Sequence, residues 1–348
     1  MDPHSKGMTD MSKTWKAALA ASAAGLLTLT ACGGGSGAAE GGSTTVNVVG
    51  YSVLEQANEG VMKGFQDTAA GKDVEFKTSY GASGDQSRAV LAGQDADEVH
   101  LSLEPDVTKL VDAGLVDAGW KSNATKGICT SSIVVLVVRK GNPKHITGWD
   151  DLTKPGVGIV TPNPASSGSA KWNLLAAYGH VLATGGSTQD AAGYIKGFFK
   201  NTVALPDSGR DATTAFEGGN GDVLLSYENE AILARQSGAD FDYVVPDQSL
   251  LIQNPCAVTK GAPKAAEDFL DYQKSAAGQK AYAETGYRPV TDIGDVTVKG
   301  ANDPSNPFPE PKTLQTIDGD FGGWGSANTK FFDENDGILT KLQAAAGK

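Results

Sequence analysis

Ser131-Ser132-Ile133-Val134-Val135-Leu136-Val137-Val138-Arg139 is the stretch that decides the fold. It is a near-continuous run of β-branched residues with no polar alternation, the pattern of a strand buried on both faces. The chain alternates on either side of it. Upstream, Thr45–Val49, Val74–Ser79 and Glu98–Ser102 read as strands, separated by helical stretches over 53–67, 86–91 and 107–113. Downstream, strands are expected at 158–160, 222–227, 243–245 and 249–252, helices at 170–178 and 191–199, and one amphipathic helix over 267–284. Alternation of this kind predicts α/β layers with mostly parallel sheets. The Pro-rich stretch 303–312 reads as an extended connector before a last helical segment ending near Ala345.

Charge and the N-terminus narrow the function classes. The formal net charge is −12, which argues against nucleic acid and against broad adhesion to anionic lipid. Met11–Lys16 is a short basic stretch, Ala17–Leu29 is apolar or small throughout, and Leu29-Thr30-Ala31-Cys32 closes it. That order of charge and hydropathy is an export signal, too short for a permanent span. Its ending resembles a bacterial lipobox, which makes Cys32 the acylated residue and residues 1–32 the signal segment. The Gly/Ser/Ala run 33–44 is a tether with a reach of roughly 20 Å. The expected address is the outer face of the cytoplasmic membrane, held by the lipid alone.

Cys129 and Cys256 remain. An even pair in an oxidising compartment suggests a disulfide, with two buried free thiols as the alternative. Enzyme signatures are missing: no Gly-x-Ser-x-Gly elbow, no phosphate loop, no His-Glu-x-x-His and no Cys-x-x-Cys. His100, His145 and His180 are too scattered for a metal cluster, so neither cofactor nor metal is expected.

Four places share one layout, in which a strand ends, a turn of small residues follows and a helix begins. They are Tyr51-Ser52-Val53-Leu54-Glu55, Gly81-Ala82-Ser83-Gly84-Asp85-Gln86, Pro164-Ala165-Ser166-Ser167-Gly168-Ser169 and Asp207-Ser208-Gly209-Arg210-Asp211. Ser52 with Glu55 and Ser83 with Gln86 have capping-box spacing. Each helix start leaves N–H groups without intrahelical partners and carries about half a positive charge. Singly, each is explained as a cap. Four at the strand ends of an α/β sheet, where ligands usually sit, put a ligand site on a level with capping, and both readings stay open on the residues alone.

These residues resemble the sulfate-binding family of periplasmic and lipoprotein solute receptors, from about Thr45 to near Leu342. The resemblance is carried by Ser79-Tyr80-Gly81-Ala82-Ser83-Gly84-Asp85-Gln86, by Thr161–Asn173, by Gly221–Ala231, by Tyr287-Arg288-Pro289 and by Phe321-Gly322-Gly323-Trp324. It implies a two-lobed periplasmic-binding-protein type II fold, with two mixed or parallel sheets flanked by helices and joined by two hinge strands. Lobe I would be 45–129 plus 256–348, the C-terminal segment packing back on it, and lobe II 130–255. The implied donors are the N–H groups of Ser52, Ser83, Gly168, Ser169 and Gly209 or Arg210, and the Ser167 hydroxyl. Tyr51, Gly84 and Lys171 would stand behind them. Where the family carries a Trp donor this sequence has Tyr227, a phenol that donates from a different reach and also accepts. Ser52 replaces a family Asp and Ser169 a family Gly, at positions that lend only their main chain.

Sulfate is fully ionised at neutral pH and offers only acceptors, and fixed N–H dipoles can replace its hydration shell without a countercharge. The expected function is therefore a monomeric receptor that hands sulfate, or thiosulfate, to the permease and ATPase subunits of an ABC importer. A receptor for molybdate or phosphate, and an extracellular enzyme on the same scaffold, are the alternatives.

Overall fold

A computed structural model of the protein describes residues 43–348, so the signal segment and Cys32 lie outside the described residues. β1 (Thr44–Tyr51) begins on the last residue assigned above to the tether. It runs through a single 3-10 turn at 52–54 into α1 (Glu55–Gln66). β2 (Val74–Gly81), α2 (Ser83–Leu91), β3 (Glu98–His100) and α3 (Glu104–Asp112) follow. β4 (Ile128–Arg139) is the buried run quoted above, with all but its two end residues fully enclosed. Next come β5 (Ile159–Val160), α4 (Gly168–Ala183), α5 (Thr188–Asn201), β6 (Thr202–Ala204) and α6 (Gly209–Glu217). β7 (Val223–Tyr227) leads directly into α7 (Glu228–Gln236), and β8 (Phe241–Val244) and β9 (Gln248–Val258) return the chain. The last elements are α8 (Lys264–Lys274), α9 (Ala276–Glu284), β10 (Thr313–Gln315), α10 (Ile317–Asp320), α11 (Gly323–Ala327) and α12 (Ile338–Ala345).

The strands form one mixed sheet in the order β2-β1-β3-β9-β4-β7-β5-β6, with β10 on β9 and β8 on β4. β1 pairs in parallel with β2 and β3 at one end, and β5 in parallel with β6 and β7 at the other. The two long strands between them run antiparallel. β9 pairs with β3 through 256–258 and with β4 through 251–255, while β4 continues past that overlap to pair with β7 through 134–138. The boundaries expected at 129/130 and 255/256 thus fall inside β4 and β9, which carry the sheet across without a break. A strand buried on both faces needs apolar residues throughout, and Val134–Val138 of the antiparallel β4 meet that requirement.

Two expectations are corrected. The helix read over 267–284 is two helices, because Ser275 adopts an extended backbone and caps the second: its hydroxyl accepts from Gly278 N at 3.2 Å and donates to Tyr272 O at 2.6 Å. Neither capping box forms at residue 52 or 83; Ser83 is already the first residue of α2, and its hydroxyl bonds elsewhere. The C-terminal segment touches both ends of the sheet: α8 and α9 pack on α1 and α11 on α3, while other pieces reach the other side. β10 pairs with β9 at 248–250 and α12 packs on α5, while Phe331 stacks edge-on against Tyr178 of α4. No helix of the described residues is long and apolar enough to cross a membrane.

Candidate functional site

The four turns meet. A Cβ built on Gly209 would lie 2.7 Å from Ser169 Oγ and 3.0 Å from Val53 Cγ2, so the starts of α6 and α4 and the turn after β1 touch at a residue that must lack a side chain. Gly84 N donates to Ser166 O at 3.1 Å, tying the start of α2 to the turn before α4. Gly168 packs so closely on Ser102 that a Cβ there would lie 2.5 Å from Ser102 Oγ. Ser102 N in turn donates to Ser83 Oγ at 3.0 Å. Tyr227, at the end of β7, joins the group with its hydroxyl 2.7 Å from Ser102 Oγ. Ser52 opens the 3-10 turn beside them.

What these contacts enclose is a set of donors. Among the described residues, the N–H groups of Ser83, Gly168, Ser169, Gly209 and Arg210 make no hydrogen bond to another residue. Each is the first or second residue of its helix, so none has an intrahelical acceptor. Ser167 precedes α4 with its backbone alone; its side chain, 2% exposed, caps none of that helix's N–H groups. An unmet buried N–H costs about 1–3 kcal/mol. Five such N–H groups, at three helix starts that lie on touching turns, suit an acceptor-only anion.

The neighbouring charges are internally matched. Asp106 accepts from Ser83 Oγ at 2.7 Å and pairs with Lys109 at 3.0 Å. Arg210 lends its backbone to the cluster, but its guanidinium reaches Glu230 at 3.2 Å. Burial raises the Glu230 carboxyl above its ordinary range, and Arg210 opposes that shift. Glu228 is pushed up to about 7 by burial and pulled back by Arg288, whose Nε lies 2.7 Å from it. Lys171 is turned away toward Asn328 and the Phe332 ring, 5.0 Å from its centroid, with its pKa lowered by burial. Among the described residues no group of three or more His, Cys, Asp or Glu could hold a metal.

Residues 46–288 match the family model described as bacterial extracellular solute-binding protein. The chain belongs to this family. A sulfate-binding protein of Synechococcus elongatus is 39% identical over 93% of this chain and 94% of its own length. A thiosulfate-binding protein of Pseudomonas aeruginosa is 34% identical over 85% of this chain and 92% of its own. Among solved structures, the sulfate-binding protein SubI from Mycobacterium tuberculosis H37Rv superposes with a TM-score of 0.78. It is 44% identical, covering 83% of this chain and all of that one.

Behind the donors of this solute-binding protein lies a buried hydroxyl and amide network. Tyr51 Oη is 2.8 Å from Tyr287 Oη and donates to Asn254 Oδ1 at 3.0 Å, while Thr130 Oγ1 bridges to His100 Nε2 at 3.1 Å. Tyr51 therefore ties β1 to the β4–β9 overlap. The Tyr287-Arg288 motif supplies both this hydroxyl and the partner of Glu228. Cys129 and Cys256 form a disulfide between β4 and β9 with Cα atoms 5.8 Å apart. The surface cleft of about 460 Å³ beside Arg288 and Phe308 lies away from the donors. The sequence reading missed Ser102 and Asp106. Ser102 ends a strand like the other site residues, but it is followed by Leu-Glu-Pro instead of a small-residue turn.

Proposed function

We propose that this solute-binding protein captures sulfate, with thiosulfate as a second ligand, and presents it to the permease and ATPase subunits of an ABC importer. The carrying observation is that five helix-start N–H groups, four of them on buried residues, lie on turns that touch one another and, among the described residues, bond no carboxylate. Relatives named as sulfate- and thiosulfate-binding proteins support the choice of ion. The receptor does no chemistry. A fixed array of neutral dipoles replaces the hydration shell of a dianion, and such donors are already oriented when the ion arrives.

The halves on either side of the β4–β9 pair would act as the two lobes of a trap, 45–129 plus 256–348 against 130–255, closing on the ion as a monomer. Cys32 would carry the lipid that holds the receptor on the outer face of the membrane. Ser52 N–H and the Tyr227 phenol complete the proposed donor set.

Titration calorimetry with sulfate, thiosulfate, molybdate and phosphate tests the reading. One-to-one binding of sulfate and thiosulfate, with molybdate and phosphate far weaker, is expected. Tight molybdate or phosphate binding without sulfate binding would refute it.

A further inference from the structure

Ser102 lies just past β3, is 1% exposed, and has every polar group engaged. Its N–H donates to Ser83 Oγ at 3.0 Å. Its carbonyl accepts from Trp172 Nε1 at 3.0 Å and from Asn254 Nδ2 at 3.1 Å. Its hydroxyl lies 2.7 Å from Tyr227 Oη and is lodged against Gly168, the first residue of α4. One serine thus touches the starts of α2 and α4 and the only aromatic side chain proposed as a donor.

Two hydroxyls that share one hydrogen bond hold two protons, and the bond uses one. The phenol is the more acidic partner, so its proton is the one a dianion draws toward itself. The serine proton is then left to fill the bond between the two oxygens, and a chain of hydroxyls ending on a charge strengthens each member. We propose that Ser102 is a positioning residue for the bound oxyanion. Its hydroxyl donates to Tyr227 Oη and turns the phenolic proton toward the ion at the start of α4. Burial holds Tyr227 above the usual phenol range against the opposing pull of the Ser102, Asn254 and Ser169 side chains, so it stays a neutral donor. The inference rests on the receptor reading above and assigns a role to a residue outside the donor set.

Sulfate titrations of the full chain carrying Ser102→Ala, Tyr227→Phe and both together test it. Tyr227→Phe should weaken binding about tenfold or more, since it removes a hydrogen bond to a charge. Ser102→Ala should weaken binding by a smaller factor in the wild-type background and by nothing when added to Tyr227→Phe, because it acts through the phenol. A serine with only a structural role would weaken binding in both backgrounds, and that result overturns the proposal, as does wild-type affinity in Ser102→Ala. Ser102→Cys keeps the shape with a weak S–H donor and should bind between wild type and Ser102→Ala; wild-type affinity there also overturns it. A wild-type chain that binds no sulfate overturns the receptor reading together with this one, whereas intact wild-type binding with an unaffected Ser102→Ala overturns this one alone.

Discussion

Ser167 is the side chain whose removal reads the site most cleanly. It is buried and makes no cap bond within α4, so substituting it disturbs little except what its hydroxyl would give to a ligand. Ser167→Ala should weaken sulfate binding by about 1.5–3 kcal/mol, the worth of one charge-assisted hydrogen bond. Unchanged affinity in calorimetry would place the ion elsewhere. Glu98 tells a different story, because it is fully buried on β3 with only Gln273 Nε2, at 2.5 Å, as a partner. Burial pushes its carboxyl from an ordinary 4.5 up to about 8 against the pull of Gln273. Between those values the folded state holds a proton the unfolded chain has lost, so this group's stabilisation is full below pH 4.5 and falls as pH rises toward 8. His100 runs the other way. Burial lowers it from 6.5 to about 3, so its contribution is full above pH 6.5 and is lost as pH falls through that interval. Glu98→Gln should therefore flatten the decline in melting temperature that runs up to about pH 8, read above pH 6.5 where His100 no longer contributes a slope, while leaving the acid-side loss in place. An unaltered profile on the alkaline side would show that Glu98 ionises normally.

At the scale of elements, β4 and β9 carry the connection between the two parallel ends of the sheet, and the Cys129–Cys256 disulfide joins them. It closes a separation of 127 residues, for which the chain-entropy account gives about 5 kcal/mol, and measured losses on removing native bridges run about 2–5 kcal/mol. Replacing both cysteines with serine should lower unfolding stability within that measured range. Thiol labelling of the unfolded, unreduced chain should find neither cysteine; labelling there would rule the bridge out. β4 was legible in the sequence because burial on both faces leaves an unbroken apolar run. The turns before α2, α4 and α6 were legible because close backbone approach demands Gly and Ser. The break at Ser275 was not, since the apolar period continues through it and only the cap bonds decide the matter. Ser102 was equally hidden. A single serine between leucines carries no local signal, and its role arises from partners 19, 70, 125 and 152 positions away.

Over the whole molecule, an acidic chain is proposed to hold a dianion, and the geometry shows why net charge need not forbid it. Carboxylates around the donors are each held by a partner: Asp85 by Arg88, Asp106 by Ser83 and Lys109, Asp211 by Ser208, Glu230 by Arg210 and Glu228 by Arg288. What would face the ion in the proposed site is main-chain N–H at helix starts, which carries no formal charge and is insensitive to pH. The path of β10 and α12 onto the α4–α5 side was invisible in the sequence, because those contacts are long-range and the segment is short on periodic pattern. Such a site, in which no carboxylate is proposed to face the ion, should disfavour an oxyanion that still carries a proton, since only weakly basic hydroxyls could accept it. Competition between sulfate and phosphate at pH 8 measures this most directly. The account predicts that a large excess of phosphate leaves bound sulfate in place, and equal displacement by the two ions would contradict it.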